Sequence, residues 1–202
     1  MELHQMDIKT TFLNGNLEKK IYMNQSEGFS IQGKESLRVC IDKVLEIYGM
    51  KTYRPSVAPV IKGDKFSLSQ CLQNDLEREP IKDIPYSLAV GGLMYVMTCT
   101  RPAISYAVAM LGRYVSNPGM NLWVAAKKVM RYLQGTKDYM LTYRATDQLE
   151  VISQSNSDFA SCLDSRKSTS GYVFLLAGGI ISWKSKKQTC VSTSTMEAEF
   201  VA

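Results

Sequence analysis

The sequence predicts an α+β chain in which a helical middle region precedes a three-stranded antiparallel sheet. Two patterns carry that expectation. From Tyr86 to Tyr143 apolar residues recur every three to four positions, the period of a helix with one buried face. After Arg144 the runs LEVISQS, SGYVFLLA and IISWKSK read as strands separated by turn residues. At 202 residues with 45% apolar side chains, the chain can fill a core in one ordinary domain or two small, loosely associated ones.

Taken in order, the opening stretch has a turn at Asn14 and Gly15 and a candidate strand at Ile21 to Met23, with Asp7 where a strand would end. From Ser26 to Pro85 the chain is rich in Gly, Ser, Lys, Asp and Pro, with one helix-like piece at Ile41 to Tyr48. Residues 41–85 are therefore expected to be a poorly ordered connector. The stretches YSLAVGGLMYVMTC, RPAISYAVAMLGRYV and NLWVAAKKVMRYLQG predict three helices. Thr100 is the expected cap of the second, Pro118 and Gly119 the break before the third, and Gly135 its left-handed end. Gly178 and Gly179 predict a tight hairpin between the last two strands. Ser194 followed by Glu197 fits a capping box, so a helix is expected to start there. Ending at Ala202, it would have about two turns, too few to hold without tertiary packing, and the sequence reads as C-terminally truncated.

Composition excludes several function classes. No run approaches the roughly eighteen apolar residues that span a bilayer, and no basic-then-apolar leader opens the chain. A soluble, intracellular protein, cytoplasmic or nuclear and without a membrane partner, is the expectation. Cys40, Cys71, Cys99, Cys162 and Cys190 form no CxxC pair and predict buried free thiols. The single histidine, His4, cannot supply a His-rich metal site.

The charge balance, 24 basic against 19 acidic residues, is only mildly basic, so distribution matters more than total. Arg101, Arg113, Lys127, Lys128, Arg131, Lys137 and Arg144 face a single acid, Asp138, across residues 101–144. Lys127, Lys128 and Arg131 on one helix face have the pattern of a phosphate contact, with a solvated face as the plainer reading. Lys184, Lys186 and Lys187 follow Trp183, a basic stretch beside an aromatic that suits a hybrid backbone; strand packing and a charged sheet edge are the plainer alternative.

Three stretches, in this order, carry a family resemblance: HQMDIKTTFLNGNLEKKIYMNQSEGF, YSLAVGGLMYVMTCTRPAISYAVAMLGRYVSNPG and SDFASCLDSRKSTSGYVFLLAGGIISWKSKKQTCVSTSTMEAEFVA. Together they resemble copia-type LTR retrotransposon Pol polyproteins. The resemblance implies a reverse-transcriptase palm fragment over residues 1–40, the connector over 41–85, a helical connection region over 86–146, and a partial RNase H-like domain over 147–202. SIQGKESLRVC and IDKVLEIYGMK resemble family sequence from either side of the nucleotide-binding core, which implies an internal deletion near Cys40 and Ile41.

The parent activity implied is RNA-directed DNA synthesis with RNase H hydrolysis of RNA/DNA hybrids, both dependent on carboxylates around two Mg2+ or Mn2+ ions about 4 Å apart. The departures from the pattern decide what this chain retains. Asp7 matches the first palm ligand, but no Asp-Asp pair occurs in the sequence. Asn156 replaces the first RNase H aspartate; an amide cannot bridge two cations as an anion. Glu197 matches the catalytic glutamate, Asp158 is a weak substitute ligand, and the remaining aspartates of the family lie beyond the sequence corresponding to Ala202. Ala103 in RPAI replaces a helix-first-turn aspartate, a loss of about 0.5 kcal/mol. The resemblance therefore implies a catalytically inactive polyprotein remnant that binds no metal productively. The alternatives are a non-catalytic nucleic-acid-binding remnant and complementation by a second chain.

Overall fold

Helix α1, Leu37–Ile47, buries Ile41 and Leu45, one turn apart, against the rest of the helical layer. It is the first element of a computed structural model that describes residues 37–61, 64–74, 79–139, 141 and 150–202. Asp7, the Asn14–Gly15 turn and the Ile21–Met23 strand lie outside the described residues.

The three expected helices are α2 (Tyr86–Thr100), α3 (Ser105–Gly112) and α4 (Met120–Thr136). Their apolar faces meet in one core that includes Tyr86, Val90, Leu93, Val108, Leu111, Leu122, Met130 and Leu133. The Tyr86 hydroxyl is satisfied there by donating to the Leu111 carbonyl at 3.0 Å, so the ring is buried without an orphaned polar atom.

The stretch between α1 and α2, read from composition as connector, supplies Met50, Phe66, Cys71 and Ile81 to the buried set. These are single anchors without a period, so a pattern search passes over them. Hydrogen bonds strap the segment to α4: Ser56 N donates to Arg131 O at 3.2 Å, and the Gln134 side chain donates from Nε2 to Lys51 O at 2.9 Å.

Two expected helix boundaries differ for physical reasons, and a third holds for more than the expected reason. Thr100 ends α2 and caps nothing; Arg101, buried at its end, donates from Nη2 to the carbonyls of Thr136 and Lys137, both at 3.1 Å. It thereby gives Lys137 O a donor and adds a second one to Thr136 O, which also accepts from Tyr139 N at 2.9 Å. Gly135 lies inside α4 and is small because a Cβ there would come within 3.0 Å of Pro55 Cβ on the strap. Gly119 does precede α4, and a Cβ on it would fall 1.8 Å from Gln70 O, so close approach as well as helix breaking requires glycine.

The sheet has the order β1–β2–β3, antiparallel throughout, with β1 Val151–Asp158, β2 Thr169–Leu176 and β3 Gly179–Lys187. The hairpin turns one residue earlier than the glycine pair predicts: Leu176 pairs with Gly179, and the two turn residues are Ala177 (φ 51°) and Gly178 (φ 77°). Two positive φ values suit the right-handed twist of the flanking strands. Among the described residues, five α-helices and this sheet make an α+β architecture; the last helix, α5, spans Thr195–Phe200.

Strand alternation separates two faces. Val173, opposite both Gln154 and Trp183, is buried on the face turned to the helices, where Trp183 Nε1 donates to Met97 O at 3.1 Å. The opposite face carries Ser155, Tyr172 and Lys184, and α5 lies over its Ser157–Ser170 end.

Candidate functional site

The expected RNase H-like residues sit at the ends of β1 and α5. Asn156 is buried on the helix-facing side of β1, opposite Gly171. Asp158, two residues on and therefore on the same face, accepts from Thr169 N through Oδ1 at 2.6 Å. Its Oδ2 is buried without a hydrogen-bond partner. Tyr106 of α3 lies next to this carboxylate; burial first, and then the Asp158 charge, hold its hydroxyl above the ordinary phenol range. Arg113 donates to Thr169 Oγ1 at 2.9 Å, so Asp158, Thr169, Tyr106 and Arg113 form one polar seam between the sheet and α3.

Glu197 occupies the first turn of α5, whose N-cap is Ser194. The Ser194 hydroxyl accepts from Glu197 N at 3.1 Å, half of the expected capping box. The other half is shifted by one residue. Glu197 Oε2 accepts from Thr193 N at 2.6 Å and Thr193 Oγ1 at 2.8 Å. Those two bonds from Thr193 hold the exposed carboxyl below the usual glutamate range. Glu199, not Glu197, reaches β1, accepting from Ser157 N at 3.0 Å. Gln188 ties the same corner together, donating to Ala198 O at 2.7 Å and to Ser170 Oγ at 2.8 Å.

Among the described residues, no three His, Cys, Asp or Glu side chains gather where a metal ion could be held. The donors that are present do not fit a pair of divalent cations. Asn156 offers a neutral amide, Glu197 is turned to Thr193, and Asp158 is bonded into the interior seam. Asp7 lies outside the described residues.

The basic residues are dispersed by their structural roles. Lys128 Nζ pairs with Asp64 Oδ2 at 2.6 Å, and Arg131 Nε donates to Arg54 O at 2.7 Å, both holding the strap. Lys127 Nζ stands 5.2 Å from the Trp123 ring centroid, a cation–π contact. On β3, alternation sends Lys187 to the helix-facing side and Lys184 and Lys186 to the other; all three are exposed. Trp183 packs toward α2 instead of standing beside them. Tyr172 and Phe174 take that place, an edge-to-face pair with centroids 5.4 Å apart, Tyr172 directly opposite Lys184.

One interaction had no sequence signal. Asp164, in the loop between β1 and β2, accepts from Leu68 N at 2.8 Å and from Tyr114 OH at 2.9 Å. Burial and then the Asp164 bond push the Tyr114 hydroxyl far above the ordinary phenol range. Only the two partners, 96 and 50 residues away in sequence, give Asp164 meaning.

Residues 1–71 match the family described as reverse transcriptase (RNA-dependent DNA polymerase). The chain is 42% identical over 162 residues to the retrovirus-related Pol polyprotein from transposon TNT 1-94 of Nicotiana tabacum, a match covering 80% of this chain. It is 36% identical over 151 residues, 75% of its length, to the Pol polyprotein from transposon RE2 of Arabidopsis thaliana. The chain belongs to the copia-type retrotransposon Pol family. It spans 12% of the tobacco polyprotein and 10% of the Arabidopsis one. It also matches secreted RxLR effector protein 161 of Plasmopara viticola, 43% identical over 122 residues, covering 60% of this chain and 86% of that one. No solved structure matches the chain. No helix among the described residues is long and apolar enough to cross a membrane.

Proposed function

We propose that this copia-type Pol segment performs neither metal-dependent step of its parent polyprotein, RNA-directed DNA synthesis or RNase H hydrolysis of RNA/DNA hybrids. The observation that carries this reading is the state of the β1–α5 corner. Asn156 stands where the family's first RNase H aspartate is expected, and the carboxylate of Glu197 caps Thr193. A divalent pair needs anionic oxygens converging on it to offset its charge, and a neutral amide with a committed glutamate supplies too little. For the palm, Asp7 remains without an Asp-Asp pair in the sequence, as an internal deletion near Cys40 and Ile41 would leave it.

The test is Mg2+-dependent cleavage of a labelled RNA/DNA hybrid by the full chain and by Asn156→Asp, each repeated with Mn2+. No cleavage is expected from either protein. Cleavage by the unaltered chain would overturn the reading, and cleavage by Asn156→Asp alone would assign the whole loss to that one position.

A second reading, a non-catalytic hybrid-binding remnant, is favoured by the outer sheet face, where exposed Tyr172 and Phe174 adjoin Lys184 and Lys186. Aromatic rings beside cations suit a single strand or a hybrid end, with stacking on the rings and phosphates at the lysines. Salt titration of hybrid affinity tests it. Lys184→Ala with Lys186→Ala should flatten the slope of log K against log salt by about 2. An unchanged slope removes this face from consideration.

A further inference from the structure

The outer face of the sheet divides by strand into three chemistries. β1 turns Ser153, Ser155 and Ser157 outward, β2 turns Ser170, Tyr172 and Phe174, and β3 turns Ser182, Lys184 and Lys186. The pairing sets Ser155, Tyr172 and Lys184 in one row and Ser153, Phe174 and Ser182 in the next. At the α5 end, the Ser157 and Ser170 hydroxyls are both taken by Gln188, and the Ser157 N–H by Glu199. The two aromatic rows lie clear of that corner, and no outward residue of the three strands is an acid. Tyr48 and Trp123 also meet edge to face, but against the helical core; Tyr172 and Phe174 do so in the open, 36% and 37% exposed. Aromatic surface rimmed by hydroxyls and ammonium groups suits a ligand with flat apolar faces and anionic edges.

The angle between the rings narrows that ligand. Bases stacked in a strand lie parallel, about 3.4 Å apart. The two rings stand 5.4 Å apart with their planes 65° from parallel, so neighbouring bases reach both rings only after unstacking from each other. A paired hybrid has no such freedom. Its base faces are shut inside the stack except at an end, where one flat pair covers one ring. Resting on the nucleic-acid-binding reading of this face, we infer that its ligand is single-stranded nucleic acid, held as an unstacked dinucleotide with one base on Tyr172, the next on Phe174 and the adjoining phosphates at Lys184 and Lys186. Ring stacking accepts any base, so the face distinguishes strandedness and not sequence.

The test is fluorescence anisotropy of the full chain with four labelled probes of one length: a single-stranded RNA, the same sequence as single-stranded DNA, the blunt RNA/DNA hybrid, and a single strand whose sugars carry no bases. Both base-bearing single strands should bind at least about tenfold more tightly than the hybrid and than the abasic strand. Tyr172→Ala and Phe174→Ala should each lower single-strand affinity about tenfold while changing hybrid affinity little, and Tyr172→Phe should keep it. Equal affinity for hybrid and single strand would overturn this inference and leave the hybrid-binding reading standing. Equal affinity for the abasic strand would reduce the face to a phosphate contact and overturn it too. Binding of none of the four would overturn both. The probe comparison uses the unaltered chain, so the outcome holds even where an alanine variant fails to fold.

Discussion

The helical layer and the sheet are held together by different forces. The contiguous apolar core runs from Ile41 to Leu133 and lies wholly within the helices and the strap. From residue 150 onward the buried apolar side chains are Cys162, Val173 and Ala198, against buried Asn156, Ser168, Thr169, Gln188 and Ser192. The helices are thus stabilised mainly by apolar burial. The sheet is stabilised by its ladder and by hydrogen bonds that must all be made at once, because each unpaired buried group costs as much as the bond returns. Such a sheet is the first part to suffer when one partner is lost.

The sharpest way to break the comparison is to hollow the helical core. Leu93→Ala removes a fully buried side chain from α2 and should cost about 3 kcal/mol, lowering the urea midpoint of the whole chain. If amide exchange then showed the sheet still protected while the helices opened, the sheet would be shown to stand alone, and its dependence on the layer beneath would be wrong.

Next in size is the link between the two parts. Asp164→Ala leaves the buried Tyr114 hydroxyl and Leu68 N–H without their acceptor and should cost about 1–2 kcal/mol. Amide exchange should quicken first in β1 and β2, with α2 and α4 little changed. A uniform acceleration would mean that both parts open as one unit.

Alkaline pH probes the same boundary from the helical side. The hydroxyls of Tyr86, Tyr106, Tyr114 and Tyr132 are all raised above the phenol range, burial being the largest cause for each. A raised folded-state value means that the unfolded chain ionises first. The stabilising contribution is therefore complete below about pH 10 and is lost progressively as pH climbs above it. Tyr86→Phe should cost about 1 kcal/mol at neutral pH through the lost bond to Leu111 O, and should make the alkaline decline shallower. An unchanged decline would shift responsibility to Tyr106, Tyr114 and Tyr132.

What the sequence made legible follows the same division. Periodicity found α2, α3, α4 and all three strands because each is encoded by neighbours within a few residues. It could not find the strap's anchors Met50 and Phe66, whose burial depends on α4, nor the capping role of Arg101, which reads in sequence as one more cation. The expected site shows the limit most clearly. Spacing paired Ser194 with Glu197, yet only the fold shows the carboxylate turned to Thr193 and Glu199 reaching β1. A residue's type, such as the neutral amide of Asn156, stands in the sequence itself; the partners that decide what Glu197 and Glu199 do stand only in the fold.

The smallest effect lies in the hairpin, where local encoding and actual geometry part by a single residue. Ala177 holds φ 51° at the first turn position, a left-handed conformation in which an alanine Cβ crowds the backbone at a cost of about 1 kcal/mol. Asparagine tolerates that region because its side chain bonds locally, and Asn-Gly is the favoured pair for a turn with two positive φ values. Ala177→Asn should therefore stabilise the chain by about 0.5 kcal/mol, seen as a higher urea midpoint with slower exchange in β2 and β3 alone. The gain should stay within the sheet, since the turn touches none of the bonds by which Arg113, Trp183 and Asp164 hold sheet and helices together. If the same substitution also slowed exchange in α2 or α3, the hairpin and the helical layer would share one opening transition. The contrast between a burial-held and a hydrogen-bond-held part would then describe composition but not cooperativity.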